Sequence, residues 1–146
     1  MSDLKTRREA AGLTQAELSA LTGVAQPNIA AYESGRRTLS EAMRNRLERA
    51  MTRPSELVDR HREHIRALVE THRARSPRLF GSVARGEDRP GSDVDLLVTF
   101  DDDASLFDVA GLHTALEELL RVRVDVIDEA ALTAKHDRIL KDLAPL

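Results

Sequence analysis

The chain of 146 residues is 41% hydrophobic, carries 22 Lys/Arg against 25 Asp/Glu, and contains no cysteine. That apolar content can build one domain or two small ones, and the missing thiols exclude disulfides and thiolate metal sites, so a bound metal must be held by oxygen or imidazole. No stretch approaches the roughly 20 apolar residues of a membrane span, the N-terminus lacks the apolar core of a signal peptide, and an aromatic content of 3% argues against base stacking, which leaves the cytoplasm as the expected location.

Charge is unevenly placed. Residues 1–75 carry 14 Lys/Arg against 10 Asp/Glu, while residues 76–146 carry 8 against 15. A mildly basic front and an acidic back suggest two functions, one of them facing a phosphate backbone.

In chain order, residues 4–11 begin helical and Gly12 stops them. Thr14-Gln15-Ala16-Glu17 is a capping box that opens a second helix to about residue 21, and Thr22-Gly23-Val24 makes the turn. A third helix runs from Gln26, with Pro27 tolerated in its first turn, to Glu33, where Ser34-Gly35 ends it. Ser40 caps a fourth, residues 41–51, whose apolar spacing is Met43, Leu47 and Ala50. Four short helices with a three-residue turn between the second and third predict a helix-turn-helix over residues 1–51. Leu18, Val24 and Ile29 would fix the angle between its two central helices.

Thr52-Arg53-Pro54 marks the expected boundary, and Ser55 can cap a long connector helix over residues 55–73, with Leu57, Ile65, Leu68 and Val69 on one face. The period then changes. Residues 78–80 and 94–100 read as strands, 106–120 as an amphipathic helix, 122–127 as a strand and 129–143 as a terminal helix. Strands alternating with helices predict an α/β (α+β) layer, placing a second domain over residues 55–146.

The chemistry concentrates in Leu79-Phe80-Gly81-Ser82-Val83-Ala84-Arg85-Gly86 and Ser92-Asp93-Val94-Asp95-Leu96-Leu97-Val98. Gly81 follows a strand and precedes a short helix, so free amides and the Ser82 hydroxyl would face an anion, with Arg85 available to offset phosphate charge. Asp93 and Asp95 stand two apart on a strand, which puts both carboxylates on one face, a pairing that suits a divalent metal. A third carboxylate, Asp125, lies within the apolar run 122–127, where it must face solvent or have a partner. Arg123 shares its face and is a candidate substrate contact. His61, His64 and His72 read as a solvated helix face, His113 and His136 as surface or core-edge residues, and Asp101-Asp102-Asp103 as a solvated turn.

The Gly-Ser turn, the ten-residue spacing and the Asp-x-Asp pair resemble the signature of the nucleotidyltransferase superfamily (polymerase beta-like) in its minimal form. The resemblance implies a small mixed sheet, a nucleotide site at Gly81, Ser82, Arg85 and Ser92, and Mg2+ held by the catalytic residues Asp93, Asp95 and Asp125 with ATP as substrate. Asp125 matches the acid that contacts metal and assists the nucleophile. Residues 1–51, from Leu13-Thr14-Gln15-Ala16-Glu17-Leu18 to Tyr32-Glu33-Ser34-Gly35-Arg36-Arg37, resemble the Cro/repressor-like DNA-binding family. That likeness implies operator contacts from Gln26, Pro27, Asn28 and Ala31, with Gln15, Arg36 and Arg37 placed for phosphates and Tyr32 packing or touching the backbone. Gln26 and Asn28 carry the paired donor and acceptor that reads adenine. These 51 residues hold 8 Lys/Arg against 6 Asp/Glu, so binding is expected to require a homodimer or a hetero-oligomer.

Minimal nucleotidyltransferases are similar to antitoxins that silence HEPN-type toxins by transferring AMP from ATP. The combined resemblance implies a DNA-binding antitoxin that adenylylates its toxin and represses its operon. Two alternatives stay open: a non-catalytic antitoxin that only binds toxin and DNA, and a small-molecule nucleotidyltransferase of the aminoglycoside-modifying type.

Overall fold

The computed structural model describes residues 3–133 and 137–146. They divide into two compact units: the first reaches Arg53 and includes Arg89–Gly91, and the second comprises Pro54–Asp88 and Ser92–Leu146. Among the described residues no helix is long and apolar enough to cross a membrane.

The first unit is helical, with α1 (Asp3–Ala10), α2 (Gln15–Thr22), α3 (Gln26–Glu33) and α4 (Glu41–Met51). The capping box is formed: Thr14 accepts from the Glu17 amide, and Glu17 reaches back to the Thr14 amide. Gly23, at φ +73°, ends α2 in the left-handed conformation that lets the chain turn into α3. Ser40 caps α4 by accepting from the Met43 amide. Leu18, Ile29 and Leu47 are fully buried and join α2, α3 and α4 in one core with Leu4, Leu13 and Val24. Burying each such side chain stabilises by about 1.5–3 kcal/mol.

The second unit begins with α5 (Pro54–Arg60) and α6 (Arg62–Thr71) rather than one connector helix over residues 55–73. His61 interrupts the predicted run, at φ −117° and ψ 18°. Its amide bonds back only three residues, to Val58, and its carbonyl restarts the ladder at Ile65. The break turns Val58, Ile65 and Val69 into the same core. Pro54, not Ser55, opens α5, and the Ser55 amide donates to the buried Asp88 carboxylate at 2.8 Å.

β1 (Ala74–Phe80), β2 (Val94–Phe100), β3 (Val124–Asp128) and β4 (Ala144–Pro145) form a mixed sheet in the order β3-β2-β1-β4. β1 is longer than predicted, and its register with β2 shifts between Arg75 and Arg78, where Ser76 takes φ +54°. α7 (Gly81–Arg85) follows β1, and α8 (Leu106–Leu120) links the parallel pair β2 and β3. Val94, Leu96 and Val98 of β2 face the core with Leu112, Leu116 and Leu120 of α8, so Asp95, Leu97 and Thr99 point to the opposite face.

The predicted terminal helix over 129–143 is replaced by a 3-10 turn (Glu129–Ala131), α9 (Asp137–Lys141) and β4. Asp128 accepts from the Ala130 amide, which closes the turn. β4 then pairs with the edge of β1, a position where Pro145 is tolerated. The His136 assignment lies outside the described residues.

Candidate functional site

β1 delivers Gly81 to the start of α7, and the sheet delivers Asp95 beneath it. Gly81 sits at φ +70°. A Cβ there would overlap Asp95 Oδ2 and stand 3.2 Å from Asp95 Cγ. Glycine is therefore required twice, by the left-handed backbone and by the carboxylate occupying the side-chain space. Asp95 is the first apolar-flanked residue of β2 to face away from the core, and the parallel register sets it beside Asp125 of β3.

This pairing has an electrostatic consequence. Burial, the like charge of Asp125 and a hydrogen bond with it, and the charge of Asp93 push the Asp95 carboxyl up to about 6, with Arg85 pulling the other way. A bound cation would offset the like charge that Asp125 and Asp93 impose on Asp95. Asp93 acts on Asp95 through charge, but among the described residues no three His, Asp or Glu side chains form a preassembled metal cluster. The structure thus brings Gly81 and Asp125 each against Asp95, with Asp93 within charge range of it.

The remaining predicted nucleotide contacts lie on α7 and just before β2 and β3. Ser82 is half-buried in the first turn of α7, where its carbonyl accepts from the Glu87 amide at 2.9 Å. Arg85 is exposed and shared between Glu87 and Asp142, each at 3.0 Å. Ser92 is half-buried just before β2. Arg123 is exposed beside Asp125, and its carbonyl accepts from the Val94 amide. Glu87 and Asp142 were not expected at the site. Asp142 lies 57 residues from Arg85, a separation with no local sequence signal.

On the first unit, Gln26, Pro27, Arg36 and Arg37 are exposed, and Asn28, Ala31 and Tyr32 are partly so. Gln15 is turned inward: its amide donates to Glu33 Oε1 at 3.1 Å. Glu33 is buried and also accepts from Arg8 Nε at 2.7 Å and Nη2 at 3.0 Å, while Arg8 Nη1 donates to the Leu13 carbonyl. This paired charge ties α1, the α1–α2 turn and the end of α3 together. Arg36 Nε donates to Ser34 Oγ at 3.1 Å, and Arg37 Nη1 to Asn28 Oδ1 at 2.9 Å.

Comparison with known proteins agrees with both units. Residues 59–145 match the nucleotidyltransferase domain family and residues 4–57 a helix-turn-helix family. The chain is similar to "Putative protein adenylyltransferase MJ1215" of Methanocaldococcus jannaschii, 33% identical over 78 residues that make up 53% of this chain and 91% of that protein. It is also similar to protein adenylyltransferase MntA of Thermococcus cleftensis, 41% identical over 69 residues, 47% of this chain and 70% of that one. A solved structure described as a "putative minimal nucleotidyltransferase" superposes with a TM-score of 0.57 at 44% identity, covering 63% of this chain and 95% of its own. The chain belongs to the nucleotidyltransferase family, with a helix-turn-helix domain preceding the nucleotidyltransferase domain.

Proposed function

We propose that the protein transfers AMP from ATP to a side-chain hydroxyl of a HEPN-type toxin, and represses its own operon through the helix-turn-helix. The observation that carries the enzymatic part is the convergence of Gly81, Asp95 and Asp125. The relatives' printed activity, protein adenylyltransferase, supports a protein acceptor.

The donor set suits Mg2+: Asp93, Asp95 and Asp125 all offer hard carboxylate oxygens, and burial together with neighbouring like charge raises the proton affinity of Asp95. Asp95 and Asp125, joined by Asp93, would hold it. When bound, the ion neutralises triphosphate charge and lowers the proton affinity of the attacking hydroxyl.

The chain's own groups do the rest. Amides at Gly81 and Ser82, with the Ser82 hydroxyl and Ser92, bind the phosphates, and Arg85 offsets their charge. Asp125 accepts the proton of the acceptor hydroxyl as its oxygen bonds to the α-phosphorus and the bond to the leaving pyrophosphate breaks. DNA binding by residues 1–51 as a dimer or toxin complex would place this reaction beside the control of its own gene.

The experiment is incubation of the protein and the toxin with ATP labelled in the α-phosphate. Wild type labels the toxin, and Asp95→Asn or Asp93→Asn abolishes labelling while leaving operator binding intact. Labelling that persists in Asp95→Asn overturns the reading.

A further inference from the structure

α8 has two apolar sides, and the fold buries one of them. Leu112, Leu116 and Leu120 form the stripe that packs into the core. At about 100° per residue Phe107 falls opposite Leu116, and Ala110 and Thr114 continue its line along the helix. Phe107 is 89% exposed and its neighbour Leu106 85%, with Val109 of the same turn exposed as well. The chain's other two phenylalanines are inside: Phe80 is buried, and Phe100 packs against the core. A surface helix turns polar residues outward, and a helix apolar on both sides is one that is covered on both. Local structure gives no reason for Leu106 and Phe107, since the first turn of α8 is closed by Asp108, whose carboxylate accepts from the Ser105 amide at 3.0 Å. Adjacent large apolar side chains at this exposure mark a surface that another molecule covers.

Charge decides which molecule. Residues 101–121 hold six carboxylates against one arginine, Arg121. Arg73 and Arg75 pair with Asp103 and Asp101. Asp102, in the turn before α8, and Glu118, at the far end of its outer side, are left exposed. A second copy of this chain fits poorly, because two α8 helices set face to face bring these acids against their like whether they run parallel or antiparallel. The complementary surface is an apolar ridge flanked by Lys or Arg.

The patch is also remote from the chemistry. Asp95 stands near the start of β2 and faces away from the core side, whereas α8 begins beyond the end of that strand and returns antiparallel to it. From Asp95 to Phe100 the strand runs about 17 Å. A molecule that touches both Phe107 and the reacting centre is therefore a macromolecule. A side-chain hydroxyl looks alike on every protein, so choosing one acceptor needs binding energy from parts of it that do not react.

We propose that Leu106 and Phe107 anchor the protein that accepts AMP, through an apolar ridge on that protein flanked by Lys or Arg. The inference rests on the adenylyl-transfer reading and adds the surface by which the acceptor is selected.

The test uses the full chain and the HEPN-type toxin of the transfer assay. Phe107→Asp keeps the wild-type Tm and the affinity for a nonhydrolysable ATP analogue, because the side chain it replaces is exposed. It raises the Kd for the toxin about 10-fold or more in titration calorimetry, and raises KM for the toxin by a similar factor at unchanged kcat. Wild-type affinity for the toxin falls with salt, and Asp102→Lys combined with Glu118→Lys weakens binding at low salt and removes that dependence. Wild-type Kd and KM in Phe107→Asp overturn the docking surface alone. So does a dimer of the isolated wild type that Phe107→Asp dissolves, since a second copy would then be what covers the patch. Toxin binding that depends on Phe107 without any labelling overturns the transfer reading while the surface stands. A wild type that neither binds nor labels the toxin overturns both.

Discussion

Replacing Gly81 by alanine separates the two demands on that residue. The left-handed backbone costs an alanine about 1–2 kcal/mol, partly offset by about 0.4–1 kcal/mol from the stiffer unfolded chain. Gly86 provides the control, because it sits at φ +72° and a Cβ there meets nothing within 4 Å. Gly81→Ala and Gly86→Ala should therefore share a net loss of about 1 kcal/mol, read as a fall of about 4–8 °C in Tm by calorimetry. Only at Gly81 does the new Cβ overlap the Asp95 carboxylate, which must retreat by at least about 1.2 Å to regain ordinary contact. A displacement of that size at a reacting centre costs on the order of 100-fold in rate. The assay is AMP transfer from labelled ATP at a temperature where both variants are folded. Gly81→Ala retaining transfer within about 3-fold of Gly86→Ala would refute the placement of the reaction beside Asp95.

Other perturbations test the surrounding structure. Asp88→Ala strips the Ser55 amide of its buried acceptor and should destabilise the second unit by about 1–3 kcal/mol, read in denaturant unfolding with fragment-specific probes. Glu33→Gln leaves Arg8 buried without its charge partner and should cost the first unit about 3–5 kcal/mol. The Arg8 guanidinium holds the Glu33 carboxyl below its usual value of 4.5, so the pair's stabilisation is complete above that pH and is lost as pH falls through the lower folded value; a wild-type Tm for this unit that stays flat from pH 5 to pH 2 contradicts it. Asp95 has the opposite sign. Its carboxyl is raised from 3.8 to about 6, so in chelator-containing buffer ionisation costs stability as pH rises through that window, and Asp95→Asn should be more stable than wild type at pH 8 but not at pH 3.5.

The residues that announce the chemistry are legible because their signals are local. Asp95 takes its face from the two-residue period of β2, which begins at Val94 and leaves Asp93 just before the strand rather than on it, and Thr14 with Glu17 closes a cap within one turn. What escapes the sequence is set by distant pairing. The meeting of Asp95 and Asp125 depends on the register of two parallel strands joined through α8, and the ion pair from Arg85 to Asp142 depends on where the C-terminal segment packs. β4 is two residues long and contains Pro145, so no periodicity could mark it. The interruption at His61 falls inside a strongly helical composition, and tertiary burial of Val58 and Ile65 overrides that local preference.

A nucleotide site formed by Gly81, Asp95 and Asp125 is tested most directly, without requiring the acceptor, by titration calorimetry with a nonhydrolysable ATP analogue. The wild type should bind the analogue in Mg2+ and lose most of that affinity in chelator, with Asp95→Asn and Asp125→Asn each failing to bind in Mg2+. Equal affinity in the wild type and both variants, or binding indifferent to the metal, would contradict it.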